Sequence, residues 1–291
     1  TDSIVNRETY WNTIRMKKTY LNKKEKKMKM TIRGADISQR KAAIVAGFGL
    51  LIMTMFAIFA NFFVRQSLIV PGDAATTANN IMADELLFRS GICSFIIVII
   101  LDVVVAWALY VLLKPVNKSL SLLTAWFRLV YATIFGIALL NLVIVLHLLS
   151  GADYLTVFET DQLPAQVMLF LNAFSYGWQI GYVFFGLHLF VLGYLVFKSG
   201  YIPRILGVLL IIAGFGYLID SFGIFLLPNY DVTIALFTFI GELLFMLWLL
   251  LKGAKIPEMK NQDETPAEKT EAKAEEKPAE TPKPEVKKEE E

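Results

Sequence analysis

Asp102, Asn141, His188, Asp220 and Glu242 stand well inside otherwise apolar stretches of this 291-residue chain. Asp102 and Glu242 fall near the middle of the runs 92–113 and 232–251, which puts each about 15 Å deep if the runs are helical. His188 sits near the middle of 175–197, Asp220 about two turns from the outer end of 204–227, and Asn141 slightly farther from the same end of 126–149. Ionisable groups at such depth face a bundle interior or a cavity and have partners there. A low dielectric favours the uncharged form of a carboxyl group, which suits a group that takes up and releases a proton. Asp102, His188 and Glu242 therefore read as a proton or cation pathway, with Asp220 nearer the outside. The plainer reading is that the same groups hydrogen-bond between helices and fix their packing. Arg128 and His147 lie close to the two ends of 126–149, and Arg128 ranks lowest because a long side chain near a helix end can snorkel to the interface.

Motifs of known enzyme chemistry are missing from the sequence. It contains no HExxH, no GxSxG and no Walker loop, and the single cysteine, Cys93, leaves no intrachain disulfide to form. The two histidines, His147 and His188, belong to different apolar runs, so a zinc site would need carboxylate ligands and no metal site is expected. No cofactor is expected, and the chain leans away from being an enzyme. A buried carboxylate–histidine hydrolase is the third-ranked alternative.

The elements that must position these residues are six apolar runs, at about 42–64, 92–113, 126–149, 175–197, 204–227 and 232–251. About 20 helical residues cross a hydrocarbon layer of about 30 Å, and the runs are continuous rather than alternating, which selects helices over barrel strands. The expected fold is all-α, a polytopic bundle of six transmembrane helices spanning a membrane domain at 30–257. Pro203 suits the first turn of the fifth span, Asp231 can cap the sixth, and Lys114-Pro115 closes the second. In the long first outer loop, Pro71-Gly72 makes a turn and Asp73 can cap a helix over 74–88, with Ile81, Leu87 and Phe88 resting on the membrane surface.

Small residues are arranged to bring helices together. Gly177 and Gly181 form a GxxxG pair in the fourth span, and Gly186 and Gly193 continue a second stripe with Gln179. Two small-residue faces place that span centrally, and Gly207 and Gly214 offer a matching face on the fifth.

Charge separates three regions. Residues 1–41 hold 12 Lys/Arg against 4 Asp/Glu, the middle 42–257 holds 9 against 10, and 258–291 holds 7 against 12. Within the middle, Lys114, Lys118, Lys198, Arg204, Lys252 and Lys255 mark one side, while Asp73, Asp84, Glu85, Asp153, Glu159, Asp161 and Asp231 mark the other, where the only basic residues are Arg65 and Arg89. The positive-inside rule then puts both termini in the cytoplasm, and the expected location is the inner (cytoplasmic) membrane. The tail 258–291, rich in Glu, Lys, Pro and Ala, cannot bury enough apolar surface to order itself and reads as disordered. The basic segment 1–29 includes Lys24-Glu25, whose codons can read AAGGAG just ahead of Met28 and Met30. Translation is expected to start at one of those methionines, and the alternative is a genuine basic N-terminal extension.

Several blocks together resemble a known family. VPGDAATTANNI (70–81), ELLFRSGI (85–92) and above all FFGLHLFVLGYLVFKSGYIPRILGVLL (184–210) are similar to the membrane family called Domain of Unknown Function 4386, as are QRKAAIVAG (39–47) and WFRLVYA (126–132). The resemblance covers about 33–253. It implies a multi-pass protein of a kind found in bacteria and archaea, and it marks Asp73, Arg89, Asp102, Arg128, His188, Ser199, Pro203 and Arg204 as positions of interest without giving any of them a role.

The leading functional expectation is a membrane protein that binds or moves a small solute or proton through the internal polar site. Its rival is a structural or sensory protein acting through helix packing and a protein partner. Expected partners are the lipid bilayer, an unidentified small-molecule or ion ligand, and a second copy of the chain in a homo-oligomer. No nucleic-acid partner is expected.

Overall fold

The computed structural model describes residues 13–24, 37–159, 162–230 and 232–257. Most of the basic segment 1–29, the whole tail 258–291 and the expected cap Asp231 lie outside the described residues. The described part is helical, and six of its helices are long and apolar enough to cross a membrane: Gln39–Leu68, Glu85–Leu113, Lys118–Leu148, Gln162–Lys198, Arg204–Leu226 and Ile234–Lys255. In chain order these are spans one to six. Helices suit this environment because every backbone N–H and C=O finds its partner within the same segment.

Most spans begin further into polar sequence than their apolar runs suggest. Span three starts at Lys118, where the Asn117 side chain accepts from the Leu120 N–H. Span two starts at Glu85, with Asp84 accepting from the Leu87 N–H. Both caps satisfy helix N–H groups that hydrocarbon cannot. Pro203 stands at the cap position of span five, after a turn in which Gly200 takes φ of 75°.

Span one is irregular near its far end, where Phe59–Arg65 winds as a π-helix before Gln66–Leu68 returns to α. The loop that follows contains a further helix, Ala74–Ala83, capped by Asp73 through the Thr76 N–H and hydroxyl at 2.9 and 2.7 Å. This helix packs against span four. Ile81 and Phe88 are consequently buried in protein, and do not rest on the membrane surface as their amphipathic spacing suggests. Asp84 and Glu85 remain exposed.

The six spans form a ring in chain order around a common cavity, so span four stands between spans three and five and not at the centre that its two glycine faces suggest. Span one packs on spans two and six, and the Arg40 Nε donates to the Ile256 carbonyl at 2.7 Å, so the start of span one and the end of span six lie together. The glycine faces of span four account for its position. A methyl group built on Gly193 would stand 2.5 Å from the Gly207 carbonyl oxygen, and one on Gly177 would stand 2.8 Å from the Ala138 Cβ. Gly186 meets Gly214 in the same way, and Gly181 meets Tyr131. Association in hydrocarbon gains little from burying apolar surface, so close approach and van der Waals contact carry it. Both glycine faces are occupied within the chain, and neither is left at these positions for a second copy. Outward-facing side chains such as Phe48, Met55, Trp107, Trp126, Ile137 and Leu140 are exposed and apolar, as a lipid-facing surface requires.

Candidate functional site

The deepest polar cluster is built on spans two, three and four. Arg128 Nη2 lies 2.8 Å from Asp102 Oδ1, and the two side chains are 2% and 1% exposed. Arg128 Nη1 lies 3.1 Å from His188 Nε2, and His188 Nδ1 lies 2.9 Å from the Thr124 carbonyl. A guanidinium only donates and a carbonyl only accepts. The imidazole must therefore carry its proton on Nδ1 and accept at Nε2, which makes His188 neutral. Thr124 and Arg128 are one helical turn apart, so one helix fixes both nitrogens of the ring. Phe185 covers the guanidinium, with Cζ 5.5 Å from the ring centroid, and Met53 Sδ is 3.6 Å from Nη2.

This arrangement reverses the ranking of Arg128. The apolar run suggests a span beginning near 126, from which an arginine at 128 would reach the interface. The helix starts at Lys118 instead, so Arg128 is well inside it and cannot snorkel out. It pairs with Asp102, as a buried charge requires.

Asp102 also borders a cavity of about 320 Å³ to which all six spans contribute. Glu242 lines it from span six, Gln179 and Tyr182 from span four, Tyr131 from span three, Tyr217 and Asp220 from span five, and Asn61 from span one. Span six is broken at Phe239 between Ile234–Thr238 and Ile240–Lys252, and Glu242 falls in the first turn after the break. Irregular backbone at membrane depth is tolerated where it borders a cavity. Glu242 lines the cavity beside Tyr217, and its Oε1 is buried without a hydrogen-bond partner. The structure thus brings Asp102 and Glu242 to one space, with His188 behind Asp102 through Arg128.

Asp220 and Asn141 stand apart from that pairing. Asp220 borders the cavity, but its oxygens are occupied: Oδ1 accepts from the Tyr230 hydroxyl at 2.7 Å and the Ile234 N–H at 3.0 Å, and Oδ2 from the Ala235 N–H at 2.7 Å. It anchors the start of span six. That hydrogen bond to Asp220 pushes the Tyr230 hydroxyl pKa up to about 12. Asn141 donates to the Ala138 carbonyl on its own helix at 2.9 Å and does not line the cavity.

Arg65 lies one residue beyond the apolar run 42–64. It belongs to span one, where Nη1 donates to Asn61 Oδ1 and Nη2 to Ser175 Oγ, both at 3.0 Å, with Cζ 4.9 Å from the Phe174 ring centroid. Sequence reasoning missed the aromatic ring wall. Tyr131 and Tyr182 stack at 6.0 Å, Tyr182 and Tyr217 stand 5.0 Å apart, and the Trp178 Nε1 donates to the Tyr131 hydroxyl at 3.2 Å. Each aromatic is individually unremarkable in an apolar helix, so only their convergence reveals the wall. Among the described residues, no group of three or more His, Cys, Asp or Glu is placed to hold a metal ion.

Residues 45–253 match the family described as Domain of unknown function (DUF4386). The chain belongs to that family. The DUF4386 region contains the Asp102–Arg128–His188 cluster, Glu242 and the whole cavity wall. A protein of Archaeoglobus fulgidus described as "Uncharacterized protein" is 44% identical over 168 residues, which is 58% of this chain and 86% of the relative. No solved structure matches the chain. Six apolar helices and family membership together make this a multi-pass membrane protein.

Proposed function

We propose that this DUF4386 protein is a non-enzymatic inner-membrane protein that binds or moves a small solute or a proton through the cavity bordered by Asp102 and Glu242, with both termini cytoplasmic. One observation carries the reading: a cavity of about 320 Å³ in the middle of the bundle holds a carboxylate, Glu242, with an unpartnered oxygen. A packing device would have satisfied both oxygens, as Asp220 is satisfied. The orientation rests on the basic residues Lys114, Lys118, Lys198, Arg204, Lys252 and Lys255, which gather at one end of the spans.

The titratable groups that line the cavity with Glu242 are Asp102, Asp220, Tyr131, Tyr182 and Tyr217, and Arg128 stands behind Asp102 as its ion-pair partner. The test is thermal unfolding of wild type and Glu242→Gln in nanodiscs across pH 5 to 9. A protonation site at Glu242 gives two profiles whose separation changes with pH. Parallel profiles, equally spaced at every pH, would overturn the proton-linked form of the reading.

A further inference from the structure

The cavity has a chemical sign. Its wall carries three carboxyl side chains, Asp102, Asp220 and Glu242, and no lysine, arginine or histidine. The polar atoms on that wall that are buried and unpartnered are acceptors: Asp102 Oδ2, Gln179 Oε1 and Glu242 Oε1. Asp102 is 1% exposed. Acceptors buried without a donor cost free energy until something supplies N–H or O–H groups. The charges nearby do not fill this need. Arg128 is engaged by Asp102 and His188, and Arg65 stands behind Trp178, bonded to Asn61 and Ser175.

The rest of the wall is aromatic. Tyr131, Tyr182 and Tyr217 form a connected set beside Glu242, with neighbouring centroids at 6.0 and 5.0 Å. Ring faces attract cations by their quadrupole, more strongly where water is excluded, and such cages suit ammonium groups with carbon substituents. The volume accommodates a body much larger than a bare ion. The cavity has an apolar edge: Ile58 and Phe62 of span one and Leu236 of span six line it and are also exposed, at 43%, 49% and 61%. Exposed apolar side chains at the mouth of a cavity suit the apolar body of a ligand.

We infer that the cavity binds a lipophilic organic amine in its ammonium form. The inference rests on the solute-binding reading above and names its ligand class. The ammonium N–H groups would meet Glu242, Gln179 and Asp102, the tyrosine faces would hold the charge, and the apolar body would lie toward Ile58, Phe62 and Leu236.

The experiment measures binding to the full chain in nanodiscs by calorimetry and thermal shift. Three probes share one body: 2-phenylethylamine, 2-phenylethanol and phenylacetate; sodium chloride is the fourth. The expected result is saturable binding of the amine, at least tenfold weaker binding of the alcohol, none of phenylacetate, and a tenfold or greater loss of amine affinity in Glu242→Gln. If alcohol or phenylacetate binds as tightly as the amine, the cavity is a solute site of another class and the amine inference falls alone. If sodium alone produces a saturable shift, the ligand is an inorganic ion and the inference again falls alone. If no probe binds, this inference falls, and a pH-independent spacing of the Glu242→Gln profile would take the solute or proton reading with it. The comparison among probes uses wild type only, so it decides the matter even if the variant fails to fold.

Discussion

Arg128 holds Asp102 at 2.8 Å through one terminal nitrogen and His188 at 3.1 Å through the other, so one guanidinium joins three spans. Removing either charge of such a buried pair strands the other, at a cost of about 3–5 kcal/mol. Replacing both with apolar residues of similar volume is often neutral. Asp102→Ala should therefore lower the unfolding temperature sharply, whereas Asp102→Leu combined with Arg128→Met should recover most of the loss. Unfolding scans of the two variants check this, and a double variant no more stable than the single one would contradict it.

The contact between spans four and five leaves no room for a side chain. Gly193→Leu should destabilise by about 1–3 kcal/mol or more through overpacking, because the opposing atom is the Gly207 backbone oxygen and cannot swing aside. Gly136 provides the contrast, since an added methyl group would meet nothing nearer than Ile99 Cδ1 at 3.7 Å. Gly136→Ala should stabilise by about 0.5–1 kcal/mol through backbone entropy. The pair is compared by thermal unfolding, and equal effects would refute the packing argument.

Tyr230 gives a prediction at alkaline pH. Its hydroxyl donates to Asp220, and its pKa is about 12 in the folded protein against about 10 when unfolded. A raised folded pKa contributes stability that is present below pH of about 10 and lost as pH climbs through 12. Wild type should be more stable than Tyr230→Phe below pH of about 10, and the two should converge above it. A constant gap from pH 8 to 12 would show that the hydroxyl does not act through its proton.

Asp73 gives the mirror case in acid. Hydrogen bonds from the Thr76 hydroxyl and N–H hold its carboxyl below the usual range. Its contribution is present above the unfolded pKa, about 3.9, and is lost as pH falls through the lower folded value. Amide exchange over 74–83, corrected for the intrinsic rate, should quicken as pH falls below about 4 in wild type. In Asp73→Asn, which keeps a capping side chain without a titrating one, the same segment should show no such change. Matching profiles would remove Asp73 as the cause.

The six spans were legible in the sequence because run length and charge exclusion are direct demands of a hydrocarbon layer. The two glycine faces of span four were legible too, from their spacing. Their partners were not, since Ala138 and Tyr131 carry no signal that they will face glycine. Arg128 was misplaced because hydropathy marks where a helix turns apolar, not where it starts; Asn117 and Lys118 mark the start. The meeting of Asp102 with Glu242 depends on the order in which six similar helices pack, which no local pattern encodes. Asp220 looked like a pathway residue by depth alone. Its role appears only when the chain turns back through Tyr230 and presents the Ile234 and Ala235 N–H groups to it.

The division of labour among the spans bears on how the protein is made. A nascent chain emerges from its N-terminus, and Asp102, Arg128, Thr124 and His188 are all present once the fourth helix has been inserted. The two opposite charges can neutralise each other while the last two helices are still in the ribosome. Glu242 and the Phe239 break come last, as does the Arg40–Ile256 bond that fastens the end of span six to the start of span one. The costly charges are thus settled early, and the chamber is walled off by the final helix to arrive.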